Sequence, residues 1–161
     1  MKSQRRTGVL RAATVAALAG ACVVVWAAQA LAHIEPDPAR VKPGKSATVE
    51  FVVEHGCGTS PTTRLALKIP KGVTDAQPEA KDGFTASVKG ETITFEGQSA
   101  DAEEDTFAVT FTAPSKKGLL TWKIVQRCGE KVIRWIDTAE GTEHPPPIVG
   151  VGKNPPEEQE E

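Results

Sequence analysis

The sequence predicts an all-β protein, an antiparallel β-sandwich of immunoglobulin-like or cupredoxin-like build with about seven strands. Three observations carry that expectation. Short runs rich in Val, Ile, Thr and Phe alternate apolar and polar residues with period two. Gly and Pro clusters separate those runs at roughly eight-to-twelve-residue spacing. No amphipathic helical period and no internal repeat lies between them.

The chain opens on a leader. Lys2, Arg5, Arg6 and Arg11 precede an apolar run to Ala32, which ends in Ala30-Leu31-Ala32, the small-x-small pattern a signal peptidase pocket admits. We therefore expect residues 1–32 to be a signal peptide, the alternative being an uncleaved anchor, since the run is long enough for a marginal span. Cleavage would make His33 the first residue. His33 to Pro38 is broken by Pro36 and Pro38, so it is expected to be an extended arm along the domain edge.

Ala47 to Glu54 alternates, with Ala47, Val49, Phe51 and Val53 on one face and Glu54 on the other. Thr63 to Ile69 repeats the pattern with Leu65, Leu67 and Ile69 inward. Thr74 to Asp82 has no clear period and reads as a loop. Phe84–Val88 and Glu91–Glu96 flank Lys89-Gly90 as a hairpin. Ser99 to Asp105 is acidic and irregular, Thr106 to Thr112 is a strand with Phe107, Val109 and Phe111 on one side, and Leu119–Arg127 and Lys131–Ile136 form a last hairpin around Cys128-Gly129-Glu130. From Thr138 onward Gly, Pro and acids dominate, so the sandwich is expected over residues 33–150 and an acidic disordered tail over 151–161.

Composition narrows the function. The leader holds four of the 19 basic residues and none of the 21 acids, so the mature chain carries 15 bases against 21 acids. This excess argues against nucleic acid as a partner. Without the leader the cysteines are Cys57 and Cys128, an even count that favours a disulfide in an exported chain, the alternative being a thiolate metal site. No nucleophile elbow, phosphate loop or paired-His zinc motif is present.

The candidate chemistry lies at His33. A terminal His offers its α-amine and imidazole Nδ1 together as a chelate, a donor pair that suits Cu(II). If Cys57 and Cys128 are bonded and the strands leading to Glu54 and Trp135 are antiparallel, both residues lie at similar depth from the disulfide. Glu54 then faces outward as a possible ligand, and Trp135 could present its indole to a bound cation. The bland alternatives are a solvated strand-end acid and a core aromatic.

The terminal His33, the Val53-Glu54-His55-Gly56-Cys57 strand end, the run Leu67-Lys68-Ile69-Pro70-Lys71-Gly72-Val73 and Val132-Ile133-Arg134-Trp135 together resemble the YcnI-like copper-binding domain of exported bacterial proteins. The resemblance extends over nearly all of residues 33–150. It implies a β-sandwich holding one Cu(II) through the amine and imidazole of His33, with Glu54 assisting and Trp135 close by. It also implies extracytoplasmic copper handling, in the periplasm or at the cell surface, beside a membrane copper transporter or another copper chaperone. Some relatives carry a carboxy-terminal membrane helix, where this chain has its acidic end.

The expected function is thus a copper chaperone or buffer, not an enzyme. A histidine-brace copper oxygenase would need a second imidazole from His55 or His144, and a metal-free interaction module would use an exposed sheet edge.

Overall fold

A computed structural model describes residues 33–54, 57–58, 60–100, 104–139 and 141–156. The expected leader, His55 and the Glu-rich end at 157–161 lie outside them. The described residues contain no helix and form twelve strands, rather than about seven: β1 (Ile34–Asp37), β2 (Arg40–Val41), β3 (Ser46–Glu54), β4 (Arg64–Lys68), β5 (Thr74–Pro78), β6 (Phe84–Lys89), β7 (Thr92–Gly97), β8 (Glu104–Thr112), β9 (Gly118–Thr121), β10 (Lys123–Cys128), β11 (Lys131–Trp135) and β12 (Ile148–Val151).

Two antiparallel sheets make the sandwich, one in the order β1-β3-β8-β5 and the other β11-β10-β4-β7-β6. A small third sheet, β2-β12-β9, includes the parallel pair β2–β12. The all-β class therefore holds, and the higher strand count has local causes. The Pro-broken arm is a paired strand because β1 lies at an edge, where a missing N–H costs no ladder bond. The segment read as a loop contains β5, whose period is hidden by Asp75 at φ 54° and a register shift between Thr74 and Gln77. The expected strand 119–127 is two, β9 and β10, which part at Trp122 and join different sheets.

β12 lies in the Gly- and Pro-rich region assigned to no strand. At Gly150 a Cβ would come within 1.9 Å of the Lys153 carbonyl oxygen, so only glycine lets the backbone fold back that tightly.

The core lies between the sheets and draws on residues from Ile34 to Val151, so the described span contains its own hydrophobic interior. Trp122 sits at its centre, with Phe51 and Phe111 at centroid distances of 5.1 and 5.2 Å. Phe107 packs against Phe84 and Phe95, both at 5.2 Å. Lys81 lies over the Phe107 ring, 4.8 Å from its centroid, and pairs with Asp105, which also accepts a hydrogen bond from Ser99.

Candidate metal centre

The disulfide expected from cysteine count is formed: Cys57 and Cys128 are bonded with their Cα atoms 6.0 Å apart. It joins the end of β3 to the end of β10 across the two sheets. The bonded cysteines are 71 residues apart in sequence, and so are Phe51 on β3 and Trp122, the residue just ahead of β10, which pack together six residues further back. A constant offset means that β3 and β10 run in the same direction face to face. Since β10 and β11 are antiparallel, β3 and β11 run in opposite directions.

That register fixes the levels of the candidate residues. Ile34 pairs with Val53, so one further step of the antiparallel β1–β3 register sets His33 opposite Glu54. Directly opposite positions have Cβ atoms about 4.5–5.5 Å apart, close enough for two side chains to share one cation. Ile34 and Val53 are buried, whereas His33 and Glu54 are half-buried and have the opposite parity, on the outer side of the sheet. On its other flank Glu54 pairs with Glu104 of β8.

His33, Glu54 and Glu104 thus form one cross-strand row. Among the described residues, no group of three or more His, Cys, Asp or Glu side chains is gathered closely enough to make a metal cage. Metal binding here would use the terminal amine as an additional donor.

The surroundings of this row are acidic. The outer face of its sheet carries Glu35, Asp37, Glu50, Glu54 and Glu104, and no Lys or Arg occupies an outward strand position there among the described residues. Asp37 lies directly opposite Glu50, as Glu54 does opposite Glu104. Like charges so placed destabilise the free sheet and produce a negative potential that attracts a cation.

Trp135 is placed differently. It pairs with Ile124, and the β3–β10 offset sets Ile124 level with Val53, so Trp135 lies one residue step from the His33–Glu54 level. It is fully buried inside the sandwich, while His33 and Glu54 take the outer parity. Its indole N–H donates to Gln126 Oε1 at 3.1 Å, and Gln126 Nε2 donates to Thr62 Oγ1 at 2.9 Å. Its ring meets the His144 imidazole edge-on at 4.9 Å. Among the described residues His144 Nδ1 is buried and makes no hydrogen bond.

The sequence reading did not single out Glu104, Gln126 or the His144 contact with Trp135. Glu104 could have been found by continuing the alternation of Phe107, Val109 and Phe111 backwards, which assigns it to the outward face. His144 gave no comparable signal, because its contact with Trp135 is between residues of no shared local period.

Residues 33–94 match the model of a family described as a domain of unknown function (DUF1775), which is the YcnI-like family. That match covers 62 of the 161 residues and agrees with the YcnI-like resemblance read from the sequence. The matched span contains His33, Glu54 and Cys57, while Cys128, Trp135 and His144 lie beyond it. The chain is similar in structure to a protein of Nocardia farcinica described as uncharacterized with an immunoglobulin-like fold, at TM-score 0.62 and 21% identity over 74% of this chain and 97% of that one. It is also similar to the seventh ScaB type I cohesin of Pseudobacteroides cellulosolvens, at TM-score 0.45 and 13% identity over 81% and 95% of the two chains. The first of these supports the immunoglobulin-like fold and nothing finer. A search of curated proteins finds no match.

Proposed function

We propose that this YcnI-like protein is an exported Cu(II) carrier, holding one copper ion as cargo at an amino terminus that begins with His33. The observation that carries the reading is the β1–β3 register, which sets His33 opposite Glu54. A terminal amine, an imidazole nitrogen and a carboxylate oxygen form a nitrogen-and-oxygen donor set of the kind Cu(II) prefers. The acidic outer face adds attraction for a cation, and the disulfide suits an oxidising compartment outside the cytoplasm.

The carrier reading is favoured over a histidine-brace oxygenase. Such an enzyme needs a second imidazole at the metal; the half-buried His144 ring is engaged edge-on with Trp135, and His55 lies outside the described residues. Trp135, held by Gln126, lies close enough in level to the His33 end to report on it without serving as a ligand. A membrane copper transporter or another copper chaperone is the proposed exchange partner.

The test is an equilibrium titration of Cu(II) into protein beginning at His33, followed by tryptophan fluorescence and by competition with a chelator of known affinity. One saturable equivalent supports the carrier. No saturable binding would move the metal-free interaction module to the front.

A further inference from the structure

The outer face of the five-stranded sheet has the opposite charge to that of its partner sheet. Its outward strand positions include Arg64 and Lys68 on β4, Lys89 on β6, Lys123 and Arg127 on β10, and Arg134 on β11. Among the described residues Glu96 is the one acid at such a position, and it is paired with Arg64 at 3.1 Å. A protein with more acids than bases has thus gathered six cations on one side of its fold.

Their arrangement costs stability. Lys123 lies directly opposite Lys68, and Arg127 directly opposite Arg64. Like charges in directly opposed positions repel, and the sheet itself gains nothing from them. The two pairs are four residues apart along their strands, about 13 Å, and the face spans five strands, about 19 Å across. Charges spread over a flat area do not form a cradle for one small anion, nor a single track for a linear polyanion. They match a surface that is itself flat and negatively charged.

We propose that this basic face is a docking surface for an anionic phospholipid bilayer. The attraction is electrostatic and peripheral, consistent with the absence, among the described residues, of a helix long and apolar enough to cross a membrane. Five of the six cations are exposed and Arg64 is half-buried. Ile136, 37% exposed, follows Arg134 by two residues just beyond β11 and supplies an apolar contact at the rim. Docking in this orientation turns the acidic sheet, with His33 and Glu54, away from the lipid headgroups and toward solvent. The inference uses only the charge pattern and holds whether or not copper is bound.

Co-sedimentation with lipid vesicles tests it, using protein that begins at His33 so that the apolar leader cannot mediate binding. With vesicles of equal phosphatidylglycerol and phosphatidylcholine at low ionic strength, binding should exceed that to pure phosphatidylcholine by at least about tenfold, as expected for several cations acting together. It should be lost as added salt shortens the screening length to a few ångströms. The double variant Lys68→Glu/Lys123→Glu should lose at least about tenfold, while Glu35→Gln/Glu50→Gln on the opposite sheet should lose none. Circular dichroism checks that each variant is folded, and the salt titration of the unmodified protein decides the matter even if the reversal variant is not. Equal binding to both vesicle types, no binding to the anionic vesicles at low salt, or undiminished binding by a folded reversal variant would each overturn the proposal. So would salt-sensitive self-association, detected by sedimentation velocity without lipid, if the reversal abolished it and left vesicle binding intact. That result would assign the face to the acidic sheet of a second copy.

Discussion

His33 and Glu54 stand opposite one another at the edge of the four-stranded sheet, one register step beyond the buried Ile34–Val53 pair. The buried pair anchors the step: Ile34 and Val53 cannot slip by one residue without turning their side chains out of the core. The register thus places the chain's first expected residue opposite a carboxylate-bearing position by ordinary strand pairing. The site needs no dedicated loop to position it.

Glu54→Gln keeps the shape of the side chain and removes its charge. If Glu54 is a ligand, Cu(II) affinity should fall at least about tenfold, equivalent to roughly 1.4 kcal/mol, with the fold unchanged. Glu104→Gln removes a neighbouring charge from the same row and should have a much smaller effect. Chelator competition on both variants provides the comparison, and equal effects would argue for a diffuse field rather than a bond to Glu54.

Copper affinity should weaken in acid. A free α-amine has a pKa near about 7.7–8.0, and below that value its proton must leave before nitrogen can bind the metal. The amine alone then accounts for about a tenfold loss per pH unit. Titrations at stepped pH should show at least that slope, and a flat profile would remove the amine from the site.

Removing the disulfide should destabilise the sandwich without changing its architecture. The closed loop spans 71 residues, for which the chain-entropy model gives about 4 kcal/mol. Cys57→Ala/Cys128→Ala should lower the urea midpoint accordingly. Far-ultraviolet circular dichroism should retain the β signal.

Gln126 should matter more than its distance from His33 suggests. Fully buried, it accepts from the Trp135 indole and donates to Thr62, so Gln126→Leu leaves two buried polar groups unpaired. The expected cost is about 1–3 kcal/mol for each group so stranded, measured by equilibrium unfolding. A changed Trp135 emission in the folded variant would show that the network also fixes the indole's surroundings.

The legible parts of this protein were those governed by a local period. Val49, Phe51 and Val53 announced a half-buried strand, and the same parity put Glu54 outside the core. The class of fold followed from several such runs. What stayed hidden depended on partners distant in sequence. β5 is interrupted by Asp75 at positive φ, and β12 is short, contains Gly150 and follows three prolines, so its pairing with β9 and β2 determines it more than its own residues do. At the candidate site, His33 and Glu54 could be singled out from the terminus and parity, whereas the charge opposition of the two outer faces needed the full register of both sheets.

The central claim is that the amine of His33 binds copper, and one added residue tests it most directly. Protein with an alanine placed ahead of His33 retains every side chain, but its former α-amine becomes an amide. Chelator competition should show one tight Cu(II) equivalent for protein beginning at His33 and at least a hundredfold weaker binding for the extended form, about 2.7 kcal/mol. Equal affinity in the two proteins would contradict terminal chelation.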